Sequence, residues 1–126
     1  MMKMNNQVPA LSELFQQQIE FQKLIKKDNF IGYVDDPDEM SKSILGLLCE
    51  AGEVLQSDQR WKSNGRNTYY DRDAKIKEIA DCFIFLLNVC IYSDVTSFEL
   101  SNAVSEKIQE NVKRFKMFDT DKYLKK

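Results

Sequence analysis

The segment from Ile79 to Ile91 constrains the fold more than any other part of the chain. Almost every position in it is apolar, so a helix over this segment would present apolar side chains on nearly every face. Such a helix has to be covered from all sides, which the few helices of one short chain can hardly do. We therefore predict an all-α protein with this helix at its centre, assembled as a homodimer or homotetramer.

The scarcity of turn residues supports the same fold class. The chain of 126 residues has only four glycines and two prolines, fewer than sheet-rich folds of this length usually need. Capping signals at 36–39 and 96–99 mark two helix starts. We predict a single domain over residues 1–126, a four- to five-helix bundle with helices at about 11–27, 37–59, 73–92 and 96–118.

The residue types present exclude several kinds of site. Histidine does not occur, which rules out Ser-His-Asp and Cys-His nucleophile systems and the Glu-x-x-His motifs of di-iron bundles. Cys49, Cys82 and Cys90 lack C-x-x-C spacing and lie among apolar residues. We interpret them as buried reduced thiols rather than metal ligands. Reduced thiols, and the lack of an apolar leader after Met1, favour a cytoplasmic location.

The charge balance and hydropathy argue against two kinds of partner. The net charge of -2 provides no basic excess for binding a nucleic acid polymer. The most apolar stretch, Cys82 to Ile91, is too short to span a bilayer and contains Asn88. We therefore expect neither a nucleic acid polymer nor a membrane as partner.

Two pairs of acidic residues are the candidate functional feature. Glu50 and Glu53 are three residues apart on the second predicted helix, and Glu78 and Asp81 have the same spacing on the third. Both members of a pair then share one helix face, so two antiparallel helices could bring four carboxylates together. Oxygen ligands of this kind select a hard divalent cation, Mg²⁺ with Mn²⁺ as a substitute. Structural ion pairs or solvated helix faces are the alternative interpretation.

The two pairs, in this order along the chain, resemble a known signature. The segments Glu50–Glu53 and Glu78–Asp81 are similar to the E-x-x-E…E-x-x-D motif of the all-alpha NTP pyrophosphatase superfamily, which includes MazG-like enzymes and the dimeric dUTPases. The resemblance extends from about Phe15 to Phe115. It implies a fold of that type, with Mg²⁺ held by Glu50, Glu53, Glu78 and Asp81.

Within the superfamily the chain most resembles the dimeric dUTPase-like branch. The segment Phe21–Leu24 is similar to one whose glutamine, here Gln22, contacts the base, and Trp61-Lys62 is similar to a tryptophan-lysine motif near the active site. Residues 107–114 resemble a K-x-x-x-N-x-x-R element that binds phosphates. The resemblance implies base contacts from Gln22 and Trp61, and phosphate contacts from Lys62, Lys107, Asn111 and Arg114.

Other interpretations stay open for several of these residues. Trp61 could equally close the edge of the core, and the charged stripe on the last helix would by itself favour a solvated face. Arg66 and Lys75 could reach phosphates from the loop, but solvated charges explain them at least as well. A glycine-tyrosine segment expected after the last arginine is replaced by 116–118, which leaves base specificity open.

The resemblance implies a hydrolase that cleaves a nucleoside triphosphate between its alpha and beta phosphates. The products would be a monophosphate and pyrophosphate, with dUTP as the first expected substrate and dCTP or a modified deoxynucleotide next. Glu50 or Glu53 would activate the attacking water. The competing hypotheses are a non-catalytic nucleotide or magnesium sensor and a purely structural helical bundle.

Overall fold

Four α-helices hold most of the residues that the computed structural model describes, 7–62 and 69–124. No strand occurs in these ranges, which contain only two isolated bridges. The prediction of an all-α fold is therefore confirmed. The helices are α1 (Leu11–Lys26), α2 (Pro37–Ser57), α3 (Arg72–Ile91) and α4 (Ser97–Leu124), with a short 3₁₀ turn at Lys27–Asn29.

The chain forms two compact units, Met1–Val95 with α1 to α3 and Thr96–Lys126 with α4. In the first unit, α2 packs along most of α3, and α1 packs against α3 over a shorter length. The second unit consists of α4, which continues to Leu124 rather than ending near Phe118. Neither glycine nor proline occurs in the intervening sequence, so nothing there terminates the helix. Among the helices of the described residues, none combines the length and the hydropathy that a bilayer span requires.

Helices α2 and α3 are antiparallel and approach closely at a glycine. Gly46, in the first half of α2, lies against Phe85 in the second half of α3, whereas the later Glu50 lies beside the earlier Glu78. A Cβ on Gly46 would lie less than 3 Å from atoms of the Phe85 ring. The missing side chain therefore lets the ring reach the α2 backbone.

The core of the first unit lies where α1, the end of α3 and the α1–α2 connection meet. Backbone hydrogen bonds join the connection to α3, from Val34 N to Ile91 O at 2.9 Å and from Asp36 N to Tyr92 O at 2.8 Å. These bonds tie the start of α2 to the end of α3. The buried apolar side chains are Phe15, Ile19, Phe30, Leu87, Cys90, Ile91 and Tyr92.

Helix α1 buries amide side chains and leaves large apolar ones exposed. The Gln18 amide nitrogen donates to Asn88 Oδ1 at 2.9 Å, and Gln22 Oε1 accepts from the Tyr92 hydroxyl at 2.5 Å. These bonds satisfy polar groups that would otherwise be costly to bury. By contrast, Leu24 is 78% exposed. The buried face of α1 is therefore set by its partners on α3 as well as by hydropathy.

Both predicted capping signals stabilise helix starts. Asp36 Oδ1 accepts from Glu39 N at 3.2 Å. Thr96 Oγ1 accepts from Glu99 N at 3.2 Å, and Glu99 Oε1 accepts from Thr96 N at 3.1 Å, which completes a capping box. The Glu39 carboxylate instead pairs with Lys26 at 2.8 Å, linking the end of α1 to the start of α2.

Candidate active site

Three carboxylates meet between α2 and α3. One oxygen from each of Glu50, Glu78 and Asp81 lies within 4.8 Å of the other two. Among the described residues, no lysine or arginine forms an ion pair with any of them. The structure thus brings together three of the four residues predicted to bind metal, and we call this group the carboxylate cluster.

The fourth predicted ligand, Glu53, lies beside the carboxylate cluster rather than in it. It follows Glu50 by one helical turn on α2, and its side chain is exposed. Its negative charge still contributes to the field that acts on Glu50. In this structure Glu53 therefore supplies charge to the cluster without a converging oxygen.

The carboxylate cluster has a strongly negative environment. Partial burial, a hydrogen bond with Glu78 and the charge of Asp81 raise the pKa of Glu50. Burial and the same acids also raise the pKa of the neighbouring Cys82 thiol, which keeps that thiol protonated. A positive ion would relieve the repulsion. Because the converging groups offer only oxygen, they fit a hard divalent cation.

The local geometry of α2 and α3 explains why these side chains converge. Glu50 follows Gly46 by four residues, and Phe85 follows Asp81 by four, so each pair lies on one helix face. The close approach of Gly46 and Phe85 therefore sets the separation of the helices one turn from the carboxylate cluster.

A cavity of about 430 Å³ lies between α1 and α3, and some of its wall residues are sequence neighbours of the carboxylate cluster. Its α3 wall includes Ile79 and Ala80, which stand between the acids Glu78 and Asp81. Gln22 is not among its lining residues, since its side chain is buried against Tyr92. The lining residues are Leu14, Gln17 and Gln18 of α1, with Ile79, Ala80, Phe83, Ile84 and Leu87 of α3.

Trp61 lies at a second cavity, of about 500 Å³, near the end of α2. Its indole nitrogen donates to Leu55 O at 3.3 Å, while 60% of the residue remains exposed. The Lys62 ammonium lies 5.7 Å from the centre of its ring. Trp61 is therefore held by one edge with much of its surface open. The lining residues are Val54, Leu55, Asp58, Arg60, Trp61 and Lys75.

The predicted phosphate-binding residues of the last helix lie in the second unit. Lys107, Asn111 and Arg114 have exposed side chains on α4, and Lys107 pairs with Glu110 at 3.5 Å. Asn111 and Arg114 share a shallow groove with two phenylalanines of the same helix. Arg66 lies outside the described residues.

Sequence reasoning missed Gln18 and Asp58. Gln18 lines the cavity that Gln22 does not, and Asp58 contacts both Arg60 and Lys75. Asn88 carried the only signal for Gln18, because an amide inside an apolar helix requires a partner. Nothing in the spacing of Asp58 distinguishes it from an ordinary helix end.

A known protein family matches most of the chain. A family model described as dUTPase matches residues 10–125, a range that includes the carboxylate cluster and both cavities. A search of curated proteins gives no match. The family match supports a dUTPase-like nucleotide pyrophosphatase in general terms. The chain belongs to this dUTPase family, which is of the all-alpha NTP pyrophosphatase type.

Proposed function

We propose that the protein is a Mg²⁺-dependent hydrolase that converts a deoxynucleoside triphosphate to the monophosphate and pyrophosphate. dUTP is the first substrate to consider, with dCTP or a modified deoxynucleotide next. The convergence of Glu50, Glu78 and Asp81 in a chain of the dUTPase family carries the proposal. Three carboxylates without a cationic partner among the described residues are costly to assemble unless a cation binds them.

The carboxylate cluster would hold the divalent cation, with Glu53 available as a fourth ligand. The bound cation would neutralise phosphate charge and polarise the scissile phosphoanhydride. Glu53 lies outside the convergent group but on the same helix as Glu50. When it is not a metal ligand, it is the carboxylate of the two pairs that stays free to orient the attacking water and accept its proton.

The cavity between α1 and α3 would hold the base. Its walls are mostly aliphatic and aromatic, which suits a flat heterocycle. Gln18 uses its amide nitrogen for Asn88, so its carbonyl oxygen can accept a hydrogen bond from a ring N–H. This arrangement favours Gln18 over Gln22 as the glutamine that contacts the base, because Tyr92 already binds the Gln22 carbonyl.

The test is pyrophosphate release from a panel of ribo- and deoxynucleoside triphosphates, with Mg²⁺, with Mn²⁺ and with chelator. We expect metal-dependent release from one or a few deoxynucleotides. The same panel with Gln18→Leu should show a reduced preference among bases. Thermal stabilisation by magnesium nucleotide without release would identify a sensor instead. If the nucleotides give no pyrophosphate release and no thermal stabilisation, only the structural-bundle hypothesis remains.

A further inference from the structure

The two ends of the α2–α3 connection are joined by backbone hydrogen bonds. Gln59 N donates to Tyr69 O at 2.8 Å, and Asp71 N donates to Ser57 O at 2.9 Å. Between these bonds, Asp58 and Tyr70 form an isolated antiparallel bridge. We call residues 57–60 and 69–71 the neck.

Asp58 joins the neck to α3 through both of its carboxylate oxygens. Arg60 binds it in a fork, with Nε to Oδ1 and a terminal nitrogen to Oδ2, both at 2.8 Å. Lys75 Nζ, from the first turns of α3, lies 2.8 Å from Oδ2. The Asp58 side chain is only 15% exposed. Its hydrogen bonds with Arg60 and Lys75 hold the pKa of Asp58 far below its usual range, so it stays ionised.

The two cations are also held by an aromatic ring. The Arg60 guanidinium lies 3.6 Å from the centre of the Tyr70 ring, and the Lys75 ammonium lies 5.5 Å from it. A forked contact with a carboxylate and a stacked ring leave the guanidinium little freedom. The neck and the start of α3 therefore present a fixed arrangement of two positive charges around one negative charge.

This arrangement borders the 500 Å³ cavity whose wall includes the exposed Trp61. A lone carboxylate there would repel a polyphosphate. With Arg60 and Lys75 around it, the group instead carries a net positive charge, and Lys62 adds another nearby. Exposed ion pairs usually contribute little to stability, and Arg60 is half-exposed. The Asp58 and Lys75 side chains, however, are only 15% and 30% exposed, so these bonds stabilise the neck and also hold the two positive charges at the edge of the cavity.

We propose that Asp58 is a positioning residue that fixes Arg60 and Lys75 at the neck, so that their charges and Trp61 face a polyphosphate in the adjacent cavity. This inference rests on the proposed function, since it assigns Asp58 a role in binding the phosphate end of the substrate. Asp58 itself does not contact the substrate. Its effect passes through the two cations.

Asp58→Asn removes a negative charge and also frees Arg60 and Lys75, and these two effects predict opposite changes in anion binding. Removing the carboxylate makes the cavity more positive, so charge alone predicts tighter binding of an anion. Loss of the fixed geometry predicts weaker binding, because both cations are freed and repel each other. We expect the second result. Magnesium pyrophosphate should bind about tenfold more weakly and the KM for the nucleotide should rise about tenfold, with a smaller change in kcat. Asp58→Glu should recover part of the loss.

Trp61 is the only tryptophan in the chain, so its fluorescence reports on the neck without any nucleotide. Asp58→Asn should change the Trp61 emission of the ligand-free protein, whereas the control Asp73→Asn, an exposed acid in the first turn of α3, should not. Circular dichroism establishes that each variant is folded. Titration with magnesium pyrophosphate, followed through Trp61, then gives the affinities.

The outcomes separate this inference from the proposed function. A wild-type protein that hydrolyses nucleotides, with Asp58→Asn showing unchanged emission or equal or tighter pyrophosphate binding, would overturn the positioning role alone. A wild-type protein that neither hydrolyses any nucleotide nor binds magnesium pyrophosphate would overturn the proposed function, and the positioning role with it. Weaker binding and altered emission, partly restored by Asp58→Glu, would establish the role.

Discussion

At the scale of single residues, the carboxylate cluster is suited to binding a cation but lowers the stability of the metal-free protein. Glu50, Glu78 and Asp81 have oxygens within 4.8 Å of one another. Without a cation, their mutual repulsion works against folding. Such a group persists when a ligand relieves the repulsion, as a divalent ion would. The melting temperature of the metal-free protein should therefore respond most strongly to substitutions in the cluster.

Glu50→Gln should raise the melting temperature of the metal-free protein at neutral pH by about a few degrees and lower turnover with Mg²⁺ by about a hundredfold or more. The pKa of Glu50 is raised in the folded state, so its charge destabilises the fold above that pKa. The destabilisation disappears as the pH falls through the folded pKa toward the unfolded value. The stability difference between wild type and variant should therefore be largest at neutral pH and shrink on acidification.

Thermal melts from neutral to acidic pH, in the presence of chelator, measure this difference. Glu106→Gln, which removes an exposed carboxylate on α4, is the matched control and should show no such pH-dependent gain. A Glu50→Gln protein that is less stable than wild type at neutral pH would contradict the repulsion. Retained turnover would contradict the metal-binding role of Glu50.

At this scale, the sequence did not predict which glutamine of α1 lines the cavity. Four of them lie close together, at 16, 17, 18 and 22, and the family resemblance pointed to Gln22. The structure buries both Gln18 and Gln22 but gives only Gln18 a place on the cavity. That choice depends on how α1 lies along α3, a long-range property. The need of Asn88 for a partner was visible in the sequence, but the identity of the partner was not.

At the scale of helices, the contact between α2 and α3 controls the site. Glycines inside a helix lower its stability, so Gly46 and Gly52 in α2 each call for a structural reason. The structure separates their roles. Phe85 lies against Gly46, whereas a Cβ on Gly52 would meet nothing within 4 Å. Only Gly46 is required by packing between helices.

Gly46→Ala should destabilise the protein, and Gly52→Ala should stabilise it. The new methyl group at 46 would overlap the Phe85 ring, and overpacking of this kind costs about 1–3 kcal/mol. The gain in helix propensity, up to about 1 kcal/mol, offsets only part of that cost. At 52 the same gain meets no opposing contact. Denaturant unfolding of both variants gives the two free energies.

A double mutant tests whether Phe85 is the cause. Phe85→Leu removes the ring edge that faces Gly46, so the cost of Gly46→Ala should be smaller in that background than in wild type. If Gly46→Ala destabilises both backgrounds equally, Phe85 is not the source of the strain. A stabilising effect of Gly46→Ala in wild type would show that α2 and α3 are farther apart than described.

At the scale of the whole molecule, local signals predicted more than distant ones. The caps at Asp36 and Thr96 follow from short-range spacing, and so does the shared helix face of each acidic pair. The contacts at the neck could not be predicted in this way, because Asp58 and Lys75 lie on opposite sides of the α2–α3 connection in the sequence. The end of α4 was also missed, since a polar composition does not stop a helix that lacks a breaking residue.

Several large apolar side chains of α2 and α3 are exposed. Leu45 and Leu48 are 63% and 64% exposed, and Ile79 is 49% exposed. The apolar character of α3 led us to predict an oligomer, and these values are compatible with a surface that a second copy would cover. Burying one leucine contributes about 1.5–3 kcal/mol, so a few such residues on each copy could hold a dimer together.

We expect the protein to sediment as a dimer or larger, with a melting temperature that rises with protein concentration. Leu48→Lys should shift the distribution toward monomer, because the ammonium would have to be buried at the contact. Ser41→Lys makes the same gain in charge at an exposed position of α2 and should leave the assembly unchanged. If wild type and both variants sediment as monomers with concentration-independent melting, a second copy does not cover these apolar residues. The apolar run from Ile79 to Ile91 would then need an explanation other than self-association.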